Sequence, residues 1–265
     1  MKLDGKTCVL TGATGGIGEA IAHTLDRAGV SLILVARNLQ RLEKLQQQLA
    51  NKNHLLVSAD LCTNEGRQLV AASCGDNVDI LVNNAGLNYF GLFESQTESE
   101  LRKMLELNTL TPILLTQLML PRLNRKQSII INIGSGFGSI GFAGYCGYSA
   151  SKFALRGFTE ALRRELADTT INVLYLAPRA TLTGMNTEEV VALNKELGNS
   201  MDSPERVANE LVAQLDRTQR SRFIGWPERF FIKLNSVFPT IVDRAMAKQL
   251  PIIRRYALAA TRGGL

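Results

Sequence analysis

Apolar residues run along this chain in two alternating rhythms. Short, nearly continuous apolar blocks at 7–11, 31–36, 55–58, 78–82, 128–133 and 171–177 read as strands, and 222–225 as a short last one. Between them lie stretches with apolar positions every three or four residues, the spacing of one helix face. These predict helices over 17–28, 39–49, 64–73, 98–123, 148–166 and 203–215. Leu39, Leu42, Leu45 and Leu49 share one such face. Gly29 follows the first helix as a C-cap residue. Ser203 and Pro204 open the last as N-cap and first helical residue. Pro112 falls inside 98–123 and predicts a kink there.

Strands this apolar along their whole length are buried on both faces, as in parallel sheets covered by helices. Repeated strand–helix units then predict an α/β fold: a Rossmann-type, doubly wound parallel sheet flanked by helices. Residues 1–226 make up this domain. Residues 227–265 form a C-terminal amphipathic helical extension of the same unit, divided in two at Pro239.

The turn after the first strand reads Thr11-Gly-Ala-Thr-Gly-Gly-Ile-Gly18. Glycines there let the backbone approach a pyrophosphate, and the following helix offers free N–H groups and a positive dipole end. Gly12, Thr14, Gly15, Gly16, Ile17 and Gly18 are the candidate cradle. At the end of the second strand an acidic residue would bind the ribose hydroxyls of NAD. Ala36 stands there instead, followed by Arg37, which can pair with a 2′-phosphate. The expected cofactor is therefore NADP(H) rather than NAD(H).

Tyr148 and Lys152 stand four residues apart in a helix, which puts them on one face. A free phenol titrates near pH 10, and a nearby ammonium favours the phenolate. Ser135 follows the fifth strand, thirteen residues before Tyr148, and Asn83-Asn-Ala-Gly86 ends the fourth. Strand C-termini in such sheets converge on the ligand crevice.

Together these motifs, with Asp60-Leu61 and Asn108, resemble the short-chain dehydrogenase/reductase family over residues 5–225. The resemblance implies catalytic roles for Asn108, Ser135, Tyr148 and Lys152. Tyr148 would be the acid/base, Ser135 would hydrogen-bond the substrate oxygen, Lys152 would bind the nicotinamide ribose and lower the Tyr148 pKa, and Asn108 would hold a relay water. It also implies cofactor contacts from Asp60, Leu61, Asn84, Ala85, Gly86, Pro178, Thr181 and Thr183, a small-molecule carbonyl/alcohol substrate, and a homodimer or homotetramer. After the sixth strand the family commonly has Pro-Gly. Here Arg179 follows Pro178, which puts the geometry of that turn in question. Its side chain is expected to turn to solvent, the alternative being contact with an acidic substrate group.

Residues 182–199 are expected to form a mobile lid with one helix, and Met185, Val190, Val191 and Leu193 an apolar roof, so the substrate is read as hydrophobic: aliphatic, acyl or steroid-like. Phe230, Phe231, Leu234, Val237, Phe238, Ile241, Val242, Ala245 and Met246 recur at helical spacing beside six Lys/Arg in 227–256. Three uses fit such a stretch: peripheral contact with an anionic membrane, packing on a partner subunit, or roofing a lipid-like substrate.

The net charge of +6 adds little, because no basic block with interleaved aromatics points to nucleic acid. His23 and His54 are isolated, so no metal site is expected. Cys8, Cys62, Cys74 and Cys146 form no paired framework and read as free thiols. Without a signal-like start or an 18-residue apolar run, a cytoplasmic location is expected, with membrane-peripheral contact as the variant. A non-catalytic NADP(H)-binding regulator or a membrane-peripheral scaffold on the same fold is the alternative to an enzyme.

Overall fold

In the computed structural model, which describes residues 1–262, seven strands join in one sheet. They are β1 (Thr7–Thr11), β2 (Ser31–Ala36), β3 (Leu55–Ser58), β4 (Ile80–Asn83), β5 (Ser128–Ile133), β6 (Ile171–Ala177) and β7 (Ser221–Phe223). The order is β3-β2-β1-β4-β5-β6-β7, and every pairing is parallel. The order reverses between β1 and β4, and a crevice opens at such a point in doubly wound sheets.

Side chains alternate across each strand, so each strand feeds two cores. Leu10, Leu34 and Ile131 pack on one face with Ile21 and Leu25 of α1 (Gly16–Arg27), Leu42 and Leu45 of α2 (Leu39–Gln48), and Leu211 of an α8 helix at Pro204–Arg217. Val9, Val35 and Ile130 face the other way. They meet Val70 of α3 (Asn64–Ser73), Leu115 and Met119 of α5 (Thr111–Met119), and Leu162 of α6 (Cys146–Glu165). The helix starts follow from their caps. Asn38, Thr63 and Ser203 each accept a first-turn N–H, and Thr97 with Glu100 forms a capping box on α4 (Glu98–Leu105).

The structure departs from the sequence expectations in several places. The predicted helix over 98–123 is α4, a π-helical turn at Glu106–Leu110, and then α5. The helix runs continuously from α4 through this turn into α5, with Pro112 inside it. The widened turn comes before it, where the Asn108 carbonyl has no N–H on Pro112 to receive. The strand expected over 78–82 begins at Ile80, because Val78 bridges to Leu123 outside the sheet. The strand expected over 222–225 is Ser221–Phe223. Leu39 is exposed although its periodic partners Leu42, Leu45 and Leu49 are buried.

After β7 the chain forms α9 (Glu228–Val237), α10 (Pro239–Ala247) and α11 (Leu250–Arg262), with α7 (Glu188–Glu196) earlier in the chain. The break at Pro239 is where the sequence puts it, but a third helix follows. Positions 263–265 of the expected extension lie outside the described residues. Ile232 and Val242 pack on Ile140, and Ile253 packs with Phe142, Tyr145 and Leu193. Among the described residues no helix is long and apolar enough to cross a membrane.

His54 is packed, with both ring nitrogens engaged. Nδ1 accepts the Leu32 N–H at 3.1 Å, so Nε2 carries the proton toward Asp26 at 3.0 Å. Asp26 also accepts the Ala50 and Asn51 N–H groups at 2.7 and 3.1 Å. Burial alone would raise the Asp26 pKa, but these donors outweigh it and hold the carboxyl below its ordinary value.

Candidate active site

A cleft of about 1050 Å³ runs along the C-terminal ends of β1, β4, β5 and β6. Every site residue expected from the sequence lines it, with one exception. Asn108 stands behind the wall, 1% exposed.

One end of the cleft is the glycine turn between β1 and α1. Gly12 has φ +64°, and a Cβ on it would lie 2.8 Å from the Ala85 Cα. A Cβ on Gly18 would lie 2.1 Å from the Gly12 carbonyl oxygen. Only glycine fits either place. Gly15, the N-cap of α1, brings no side chain to the first-turn N–H groups. The result is a backbone cradle at the positive end of a helix, the form that receives a pyrophosphate. The Asn84 side chain serves this loop: its amide donates to the Thr11 and Gly12 carbonyls at 3.0 and 3.2 Å. The Asn84 and Ala85 N–H groups both go to the Thr11 hydroxyl.

Arg37 is exposed on the cleft beyond β2, and Ala36 and Asp60 line the same part. Arg41, in the first turn of α2, also lines it and donates to the Thr14 carbonyl at 2.7 Å. The sequence reading passed over Arg41; a second cation four residues after Arg37 was the available signal.

At the other end, Tyr148 and Lys152 project from one face of α6. The Lys152 ammonium lies 5.8 Å from the Tyr148 ring centroid and donates to the Ile133 carbonyl of β5 at 3.0 Å. Burial lowers the Lys152 pKa to about 8. Burial raises that of Tyr148, and the neighbouring Ser135 hydroxyl acts in the opposite direction. In this arrangement, then, the Tyr148 phenol is shifted up, opposite to the direction the lysine spacing suggests. The desolvation cost is the larger effect, and the ammonium is directed at a backbone carbonyl. The Ser135 Oγ accepts the Phe137 N–H at 3.1 Å and so caps the short turn at Gly136–Gly138.

Asn108 comes out of the π-helical turn. Its Oδ1 accepts the Leu87 N–H at 2.9 Å, and its Nδ2 donates to the Leu87 carbonyl at 2.8 Å and to the Ser151 hydroxyl at 3.0 Å. Ser151 in turn donates to the Tyr148 carbonyl at 2.7 Å. Asn108 thereby ties the segment after β4 to the helix that carries Tyr148. Beneath lies a buried polar ladder. The Asn83 amide donates to Asn132 at 2.8 Å and to Thr116 at 3.1 Å, and Asn132 donates to Thr159 at 2.8 Å. Asn132, Thr159 and Ser151 carried no signal of their own in the sequence.

An aromatic wall adjoins the Tyr148 ring. Phe137 stacks on Phe142 at 4.9 Å, and Tyr145 meets Tyr148 edge-on at 6.0 Å. Val190 and Leu193 of α7 are buried on the cleft, as the apolar roof requires, and Met185 lines it from an exposed position. Val191 is not part of the roof; it faces outward. Pro178 accepts the Gly136 N–H, Thr181 donates to the Arg179 carbonyl, and the Thr183 side chain closes over Gly16.

Arg179 does not turn to solvent, and it is not left open for a substrate. Its guanidinium pairs with Asp202 at 2.8 Å and Glu228 at 3.3 Å. The turn needs no left-handed residue at this position, because Arg179 is not among the positive-φ residues. A side chain can therefore replace the family's glycine.

Residues 6–193 match the family model described as short chain dehydrogenase. Dehydrogenase/reductase SDR family member 7B of Mus musculus is 34% identical over 201 residues, which cover 72% of this chain and 62% of that protein. The chain thus matches less than two thirds of that relative's length. A short-chain dehydrogenase from Sphingobium yanoikuyae, solved with NADPH, superposes with a TM-score of 0.75 at 25% identity, covering 90% of this chain and 95% of that one. A short chain dehydrogenase/reductase from Burkholderia phymatum, solved with NAD, shares the fold at TM-score 0.81 and 20% identity, covering 89% and 94%. With this fold, the glycine cradle and the Tyr148–Lys152 pair in one cleft, the chain belongs to the short-chain dehydrogenase/reductase family of oxidoreductases.

Proposed function

We propose that the chain interconverts a carbonyl and an alcohol on a hydrophobic small molecule, using NADP(H). The observation that carries this reading is the placing of Ser135, Tyr148 and Lys152 on one wall of the cleft whose far end is the glycine cradle. NADP(H) supplies or accepts hydride at nicotinamide C4 when bound. Gly12, Thr14, Gly15, Gly16, Ile17 and Gly18 would hold its pyrophosphate, and Asp60, Leu61, Ala85 and Gly86 would border the nucleoside parts. Pro178, Thr181 and Thr183 close the nicotinamide end.

Ser135 donates to the substrate oxygen and stabilises charge developing there. The Tyr148 phenol gives its proton to that oxygen in reduction and takes it back in oxidation. Lys152 would bind ribose hydroxyls, and Asn108 positions α6 and would hold the relay water.

The preference for NADP(H) over NAD(H) rests on two arginines and no carboxylate directly after β2. The aromatic wall and the roof of Val190 and Leu193 support an aliphatic, acyl or steroid-like substrate. Exposed Leu105, Leu110 and Phe153, around the packed pair α4 and α6, support a homodimer or homotetramer. Four unpaired cysteines fit a reducing, cytoplasmic setting.

The test is a screen of apolar ketones and alcohols against NADPH absorbance, run with Tyr148→Phe in parallel. A proton donor of this kind is worth about 10²–10⁴ in rate. The variant should lose that much turnover and bind NADPH as before. Full turnover by the phenylalanine variant would end the proposal.

A further inference from the structure

Helices α9 and α10 pack on each other and present two different faces. Inward, Ile232, Val242 and Met246 meet Ile140 and line the cleft. Outward, Phe230, Phe238 and Ile241 are exposed, with Trp226 at 71% and Val237 at 67%. Trp226 and Phe230 sit edge to face at 5.7 Å. Arg229, Lys233, Arg244 and Lys248 are exposed on the same two helices. Of the two acids here, Glu228 is engaged by Arg179, and Asp243 is the other. Charge is just as unevenly spread along the chain. Residues 227–265 hold seven Lys/Arg and two Asp/Glu, so they carry five of the six net positive charges.

We propose that the outer face of the α9–α10 hairpin docks on an anionic lipid bilayer. Large exposed apolar side chains in one patch mark an interaction surface. Exposed Lys and Arg on the same helices as exposed Phe, next to Trp226, match the acyl boundary and headgroup layer of such a membrane, with rings in the interface and cations at the phosphates. At ten and nine residues, α9 and α10 lie on a bilayer and cannot span it. Docking is independent of the oxidoreductase reading. One consequence rests on that reading: because the same helices wall the cleft, an apolar substrate dissolved in the bilayer reaches Tyr148 without crossing bulk water.

Trp226 is the chain's single tryptophan, so its fluorescence reports the docked face directly. The 265-residue chain, without cofactor, is mixed with vesicles of phosphatidylcholine alone or with a quarter phosphatidylglycerol. Expected are cosedimentation and a blue shift with the anionic vesicles only, both weakening as salt rises. Each basic side chain near the surface is worth about fivefold in partition. The triple reversal Arg229→Glu, Lys233→Glu, Arg244→Glu should therefore lower binding by about a hundredfold or more. Phe230→Ser with Val237→Ser and Phe238→Ser should lower it at least tenfold. Wild-type circular dichroism and thermal midpoint in both variants show that they fold.

No blue shift and no cosedimentation with anionic vesicles overturns the proposal. So does binding that ignores lipid charge. A serine variant whose oligomer size changes in sedimentation velocity, with vesicle binding intact, overturns it too and makes the face a protein interface.

Discussion

The Arg179 guanidinium bridges Asp202 at 2.8 Å and Glu228 at 3.3 Å, and so joins three separate pieces of chain. One is the turn after β6, the second precedes α8, and the third opens α9. The Asp202 side chain is 1% exposed and also takes Arg206 at 2.9 Å. Removing one partner of a buried pair costs about 3–5 kcal/mol when nothing replaces it. With Arg206 still in place, Arg179→Met should cost about 1–3 kcal/mol. In a domain of this size that corresponds to a fall in Tm of about 2–4 °C per kcal/mol. Calorimetry checks it, and an unchanged Tm would remove the clasp from the account.

Arg37 and Arg41 should act together on nucleotide choice. Arg37→Asp places a carboxylate where a ribose hydroxyl would be received and repels a 2′-phosphate. NADPH affinity should fall by at least tenfold, with NADH affinity rising. Arg41→Ala should weaken NADPH more than NADH by a smaller factor. Titration of both nucleotides by fluorescence decides it: an Arg37→Asp protein that keeps its NADPH affinity refutes the assignment.

Lys152 makes the cofactor-free protein less stable at neutral pH. Its pKa is about 8 in the fold, against about 10.4 in an unfolded chain. Below pH 8 both states are protonated, and the cost of burying the charge is fully present. Between pH 8 and about 10.4 the unfolded chain holds more protons, so stability rises with pH. Lys152→Met should therefore stabilise the apo-protein by about 2–3 kcal/mol at pH 7, after losing the bond to Ile133. The advantage should shrink as pH rises above 8. Urea midpoints at pH 6.5 and 9.5 test this, and an advantage equal at both would contradict it.

The opposite sign holds for Asp26. Its folded pKa lies below the ordinary value. The stability it contributes is complete above the unfolded pKa near 3.9 and is lost as pH falls through the folded one. Asp26→Asn should cost about 1–3 kcal/mol at pH 7. The difference from wild type should narrow toward pH 3. His54→Ala should cost a similar amount at pH 7, since it strands the buried Leu32 N–H. A wild-type advantage over Asp26→Asn that is undiminished at pH 3 would rule out the titration.

Much of this molecule was legible along the chain because it is written locally. A strand buried on both faces needs a continuous apolar block, so β1, β2, β3, β5 and β6 could be placed to the residue. A turn whose backbone touches Ala85 and its own Gly12 carbonyl admits only glycine, so the cradle is spelled out at 12–18. Tyr148 and Lys152 share a face because one helical turn separates them.

What needed the tertiary structure involves partners far apart in sequence or a balance of environments. Arg179 looked like a surface charge because Asp202 and Glu228 lie 23 and 49 residues away. The ladder of Asn83, Asn132 and Thr159 spans two strands and a helix, and no one segment reveals it. The direction of the Tyr148 shift depends on burial by the fold, which outweighs the Ser135 hydroxyl beside it. The amphipathic pattern of α9 and α10 showed that the hairpin had two faces. Only packing decided that Ile232 and Val242 go inward and that Trp226, Phe230 and Val237 are left outside, because burial depends on which surface the rest of the chain brings alongside.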